Sequence, residues 1–216
     1  MMTHKCRHSI VLLSVFAVGA CAHHAPPPAT AADPFANLGV SQIPVSGLAG
    51  SGALLFPVGN IVFGDALSEL ALGQGDLLDR ATAVLDSVLQ RDAREVTWHG
   101  REAMRRVLRR SPGIASDPTD LPTGFLLAKK VEGIPDPLWS SVRVLGALMG
   151  ARMAVIPVAV RFEGRTGAVN ATFAVAIVDV RVGQLVWRGR VTGPDQPTPE
   201  AALLAAAAAA VPSGIR

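Results

Sequence analysis

The side chains able to do chemistry are few and unevenly placed. Arg101, Arg105, Arg106, Arg109 and Arg110 fall within ten residues. On a helix, positions 101, 105 and 109 share one face, and guanidinium groups repeated at that interval can bind phosphate, carboxylate or an anionic polymer. The same run also has a purely structural reading. Glu102 pairs with Arg106 at i+4, and Arg109 with Arg110 suits the negative end of the helix dipole. These five arginines are the candidate anion or partner face. Catalysis has poorer material. A nucleophilic triad needs Ser or Cys beside a His, yet His99 is the one histidine beyond residue 24 and no cysteine follows Cys21. Asp65, Glu69, Asp76 and Asp79 include enough carboxylates for an acid pair, but they read as loop and first-turn residues that cap a helix. Gly73-Gln74-Gly75-Asp76 lacks the Lys and Ser/Thr of a phosphate loop and the third Gly of a dinucleotide fingerprint. His23-His24, two adjacent imidazoles with no third ligand nearby, fall short of a metal site. Trp139 and Trp187 read as packing residues. No catalytic, cofactor-binding or metal residue is assigned, and no enzyme is expected.

Cys21 is different, because its neighbours specify a covalent fate. Lys5 and Arg7 make a basic start, Ile10 to Val18 an apolar stretch, and Gly19-Ala20 a small-residue exit. That is the layout of a secretory signal. Val18-Gly19-Ala20-Cys21 resembles a bacterial lipobox, in which cleavage before the cysteine leaves an amino-terminal Cys that carries acyl chains. Residues 1–20 are therefore expected to be a lipoprotein signal peptide and Cys21 the lipidation site. Two or three chains at ~0.8 kcal/mol per buried CH₂ make such attachment stable.

Composition supports an anchored globular domain over a membrane-embedded one. Half of the 216 residues are hydrophobic and 17% are charged. The longest apolar runs, Ile10–Ala20 and Ala201–Val211, fall well short of the ~20 residues a spanning helix needs. Removing the signal takes Lys5 and Arg7 but no acid, which leaves 18 basic against 17 acidic residues, formally +1. No nucleic-acid partner is expected from that balance. With Cys21 acylated, no thiol is left for a disulfide, so the fold must be held by its core. Ala22 to Pro34 has four prolines and no periodicity and reads as an extended tether; residues 35–50 are weakly patterned, as loop or a first edge strand. The expected division is a tether over 21–50 and one α/β domain over 51–212.

The elements of that domain follow from periodicity. Gly52 to Val58 is a short apolar run closed by Pro57 and Gly59, a buried strand. Asp76 is a plausible N-cap, after which Leu77, Leu78, Ala81, Val84, Leu85, Val88 and Leu89 form one helical stripe. Glu95 to Trp98 reads as a short strand and Arg101 to Arg110 as a helix. Leu138, Val142, Leu145 and Met149 mark a third helix, with Pro137 in its first turn and Gly150 ending it. Met153–Phe162, Ala168–Val180 and Leu185–Val191 are strands, the last two joined at Val182-Gly183. Both faces of Ala168–Val180 are apolar, so that strand is expected to be central. Pro157, without an N–H, belongs at an edge or bulge. Thr198 and Pro199 start an alanine-rich helix running to Val211. The expected order is β-α-β-α-α-β-β-β-α, a mixed sheet with helices packed on it.

The run Leu145 to Ile156, then Val175 to Asp179 and Val182-Gly183-Gln184-Leu185-Val186-Trp187, resembles a pattern shared by three groups. These are the curli-secretion lipoproteins, the amino-terminal domain of the Tol-Pal translocation protein, and the penicillin-binding-protein activator lipoproteins. Asp179, Arg181, Gly183 and Trp187 match their hairpin, and Leu54-Leu55-Phe56-Pro57 resembles their first strand. The resemblance covers residues 51–211. It implies an anticodon-binding-domain-like sandwich and an accessory role in envelope assembly, secretion or polysaccharide export. It also implies partners in an envelope complex or further copies of the chain. Ala22 after the cysteine, in place of the Asp linked to inner-membrane retention in enteric bacteria, makes the outer membrane the favoured location by analogy. Binding of an anionic envelope polymer by the arginine face is the alternative.

Overall fold

The computed structural model describes residues 33–68, 74–131 and 133–212. The signal segment, Cys21, His23, His24, Glu69 and Gly73 lie outside them. Among the described residues the chain forms six strands and four α-helices. In order these are β1 (Gly52–Leu55), β2 (Ile61–Phe63), α1 (Gln74–Asp92), β3 (Thr97–His99), α2 (Arg101–Arg110), α3 (Leu138–Met149), β4 (Ala151–Arg165), β5 (Ala168–Asp179), β6 (Gln184–Thr192) and α4 (Pro199–Ala210). The sheet runs β3-β1-β4-β5-β6, with β2 also on β4. Pairing is parallel among β1, β2, β3 and β4, and antiparallel along the β4-β5-β6 meander. This is the expected mixed α/β sheet.

Helices cover both faces of the sheet, which explains why β5 is apolar on both of its sides. On one face, α1 and α4 bury Ala81, Leu85, Val88, Leu89, Leu203 and Ala206 against Leu55, Val155, Phe173 and Val175. On the other, α2, α3 and the loop between them bury Met104, Leu138, Val142 and Leu145 against Leu54, Ile156, Ala176 and Val178. Each large side chain buried this way stabilises the fold by about 1.5–3 kcal/mol. The apolar stripe of α1 points inward as its spacing requires. Thr82, polar and buried among it, donates its hydroxyl proton to the Leu78 carbonyl and accepts the Val58 N–H.

Local chemistry accounts for the ends and irregularities. Register shifts between Pro157 and Ala159 on β4, the bulge its missing donor demands. As a result Val155 and Val160, of opposite parity, face the same core. Gly150 ends α3 in the left-handed conformation, φ 66°. Thr198 caps α4 by accepting the Ala201 N–H at 3.2 Å, with Pro199 in the first turn.

Several expectations are corrected. Compact packing reaches back past residue 51 to the first described residues. Phe35, Leu38, Ile43, Val45 and Leu48 are all buried. Phe35, Val45 and Leu48 sit in two 3-10 turns, Pro34–Asn37 and Val45–Leu48, and Leu38 and Ile43 in the irregular backbone between them, a geometry that yields neither a 2- nor a 3.6-residue period. The order gains one strand, β2, which lies immediately after the Pro57–Asn60 break and is only three residues long. Asp76 lies inside the first turn of α1 rather than capping it. Pro137 is the residue before α3, and the strand expected over 95–98 is Thr97–His99.

Candidate functional site

The arginine face is set by α2, whose buried Met104 turns the opposite side outward. The structure divides the five guanidinium groups into two sets. Arg101 is paired with Asp79 of α1 through Nη1 and Oδ1. Arg105 reaches Asp117 Oδ2 at 3.3 Å and Thr119 Oγ1 at 2.9 Å, and approaches Glu102 Oε1 at 3.9 Å. Both therefore tie α2 to neighbouring elements. Burial pushes the Asp117 carboxyl up, but the Thr119 hydrogen bonds and the Arg105 charge outweigh it and hold it below the ordinary value. Arg106, Arg109 and Arg110 are exposed at the carboxyl end of the helix and pair with no acid among the described residues. Glu102 therefore meets Arg105 at i+3, and not Arg106 as its i+4 spacing suggested.

The hairpin is built as its residues require. Asp179 accepts the Arg181 N–H through Oδ1 at 2.8 Å, and its carbonyl accepts the Gly183 N–H at 2.9 Å. Gly183 has φ 68°, and a Cβ there would lie 2.9 Å from the Trp139 ring of α3. Trp187 stands opposite Ile177, and its ring occupies the space a side chain on Gly189 would take. Next to these packed positions, Leu148, Val182 and Val186 stay exposed on α3, the turn and β6.

The other sequence candidates are dispersed. His99 lies at the end of β3 with Nε2 3.2 Å from where a Cβ on Gly52 would be. Asp65 lies just past β2, Asp76 in the first turn of α1, and Asp79 in the pair with Arg101. An open depression of 570 Å³ lies beside the Gly124–Leu127 turn and is lined by Phe125, Lys130, Val131, Ile134 and Pro135 among others.

Two features escaped the sequence reading. Arg188 donates to the carbonyls of Leu126, Ala128 and Lys129, at 3.1, 2.5 and 2.8 Å, fixing one wall of that depression. At the start of the domain, Asp33 is paired with Arg161, whose guanidinium lies 4.0 Å over the Phe35 ring. The first has no local signal, since its partners are some sixty positions away. The second has one: Asp33-Pro34 is an N-cap followed by Pro at the first position of a turn.

No protein-family model matches the chain, and no curated protein matches it. Solved structures do. The LpoB C-terminal domain from Escherichia coli is 15% identical, with 68% of this chain and 90% of that one covered and a TM-score of 0.33. The PelC dodecamer from Paraburkholderia phytofirmans is 11% identical, covering 79% and 90%, with a TM-score of 0.40. Lipoprotein GNA1162 from Neisseria meningitidis is 13% identical, covering 68% and 81%, with a TM-score of 0.35. Of these, the Neisseria protein is a lipoprotein by its own name.

Proposed function

We propose that this is a lipid-anchored protein of the cell envelope whose α/β domain acts by contact with other proteins, without catalysis. Acylated Cys21 holds it on the membrane, facing the periplasm, with the outer membrane as the favoured side. The observation that carries the reading is the lipobox Val18-Gly19-Ala20-Cys21 placed ahead of the compact α/β domain. Ala22 after the cysteine, in place of the Asp linked to inner-membrane retention in enteric bacteria, supports the outer-membrane choice. The Asp179 to Trp187 hairpin supports an accessory role in envelope assembly, secretion or polysaccharide export. Exposed Leu148 and Val182, on adjoining elements, are apolar groups of the kind partner proteins cover.

The test is crosslinking of the mature chain in native membranes, wild type against Cys21→Ser. Capture of a defined envelope complex only when Cys21 is present supports the reading. Self-crosslinks alone in both chains remove the accessory role and leave self-assembly.

One observation favours a second reading, a module for an anionic envelope polymer. Arg106, Arg109 and Arg110 leave three exposed charges together at one helix end. Reversing those three should abolish a salt-sensitive polymer interaction without unfolding the domain. Unchanged polymer binding by the reversed chain removes this reading.

A further inference from the structure

Residues 33–41 are held to the domain by contacts of their own. Asp33 accepts hydrogen bonds from both terminal nitrogens of Arg161, one at 2.9 Å, and caps the following turn by accepting the Phe35 N–H at 2.9 Å. The Phe35 ring is fully buried in a small cluster with Leu38, Ala159 and Ala174, separate from the two large cores. The small methyl groups of the two alanines leave the space this ring fills. After it, Gly39 and Ser41 bond to the backbone of Arg190 on β6 at 2.8 and 3.2 Å, with Val40 71% exposed between them. The next fixed point is Ile43, fully buried in a large core, with its N–H on the Ala210 carbonyl at 3.0 Å. Among the described residues ahead of Gln42, the hold is one ion pair, one small cluster, two edge hydrogen bonds and two side-chain bonds, Asn37 to the Leu127 carbonyl at 3.1 Å and Arg190 to the Phe35 carbonyl at 3.5 Å.

We propose that residues 33–41 are a releasable strap that sets how far the domain stands from the bilayer. The proposal rests on acylation of Cys21, since only then does the membrane load the chain at Asp33. With the strap seated, Cys21 and the first fixed residue are 12 positions apart (33 − 21); with it released, the first fixed residue is Ile43, 22 positions away (43 − 21). The ten added positions extend the maximum reach by about 30 Å at ~3.3 Å each. Among the described contacts, load from Cys21 meets the Asp33–Arg161 pair first. A short irregular segment seated at the edge of the sheet opens locally, below the free energy of global unfolding.

Native-state hydrogen exchange on the mature chain tests the strap itself. Amides of Phe35, Leu38 and Ser41 should exchange at least tenfold faster than those of Val175 and Ile177 on β5. Arg161→Ala should speed the strap amides about tenfold more while leaving β5 within twofold. Asp33→Asn, which removes the charge and one of the two oxygens that face Arg161, should move them in the same direction. Strap and β5 amides exchanging at one common rate in all three chains overturns the proposal. Reach is read on acylated protein in phosphatidylethanolamine/phosphatidylglycerol vesicles, by energy transfer from a dye on Gln184→Cys to a bilayer acceptor. Asp33→Asn should lengthen the mean distance, and an unchanged distance overturns the proposal. Protein that never associates with the vesicles counts against the anchor at Cys21, while the exchange ratios still decide the strap.

Discussion

A Cβ added to Gly193 would lie 2.8 Å from Ala206 Cα and 2.5 Å from its nitrogen. The backbone leaving β6 therefore rests directly on the backbone of α4. Only a helix faced with alanine can approach that closely, so the run Ala205 to Ala210 is a packing surface and not mere composition. Gly193→Val should destabilise the domain by about 1–3 kcal/mol, because both opposing atoms are main chain and cannot rotate away. Thermal melting should show a fall of several degrees; an unchanged midpoint would mean that α4 slides freely.

Thr82 ties α1 to the loop after β1. Its buried hydroxyl is the acceptor for Val58 N–H at 3.1 Å. Thr82→Val keeps the shape and removes the acceptor, leaving a buried donor unpaired, at a cost of about 1–3 kcal/mol. Thr82→Ser should cost clearly less. Urea denaturation of the two variants measures the difference, and equal losses would show that methyl packing matters more than the hydrogen bond.

Acid should act first at the start of the domain. The Arg161 guanidinium holds the Asp33 carboxyl below its ordinary value of 3.8, against some opposition from burial. A carboxyl depressed in the folded state contributes stability that is present above its unfolded pKa and is lost as pH falls through the folded one. Of the charged groups around it, Arg161 and Glu163 of β4 and Arg190 of β6, the two cations favour the ionised carboxylate and keep that sign. Below about pH 4 the Phe35 and Leu38 amides should lose protection while β5 stays protected. Exchange measured between pH 6 and pH 3, corrected for the intrinsic rate, checks this; simultaneous loss throughout the sheet would contradict it.

The five arginines should separate into two classes. Arg106→Glu, Arg109→Glu and Arg110→Glu, singly, should each change stability by less than about 0.5 kcal/mol, as exposed charges do. Arg105→Ala removes a half-buried link between α2 and the Asp117 turn and should cost up to about 1 kcal/mol. Denaturant midpoints for the four variants decide it. Equal effects would mean that the Asp117 pair adds nothing.

Gly183→Ala should disturb the hairpin through two routes at once. The residue has φ 68°, and its new methyl group would press on Trp139. A left-handed alanine costs roughly 1–2 kcal/mol before any clash is counted. Near-ultraviolet circular dichroism, which reports the environment of Trp139, should change along with the melting temperature. A stability loss with an unaltered tryptophan signal would assign the whole effect to backbone strain.

Elements with a long period were legible in the sequence, and those stabilised at a distance were not. The α1 stripe, the ends of α2, the Thr198-Pro199 start of α4 and the bulge at Pro157 each follow from a local rule that tertiary context does not oppose. β2 is too short to express an alternation. Phe35, Leu38 and Ile43 are buried through irregular backbone, so burial leaves no period behind. At the candidate site, the spacing of the arginines was plain but their division was not. Their partners, Asp79 and Asp117, stand 22 and 12 positions from Arg101 and Arg105. Which guanidinium is tied down depends on how α1 and the loop after α2 are placed, and that is a property of the folded chain.

Under the proposed function, the parallel pairing of β1 with β4 bears on how an exported chain reaches this state. Leu54 is matched with Ala154, a hundred positions later. A polypeptide threaded across a membrane amino end first delivers β1 and β2 long before the strand that both must join. The apolar segment Leu54-Leu55-Phe56 then waits with only the short β3 to pair with, while β4, β5 and β6 can zip together locally once they emerge. Folding of the domain is thus gated by the arrival of its carboxyl-terminal half, and the interval before that is when the chain is most exposed to aggregation.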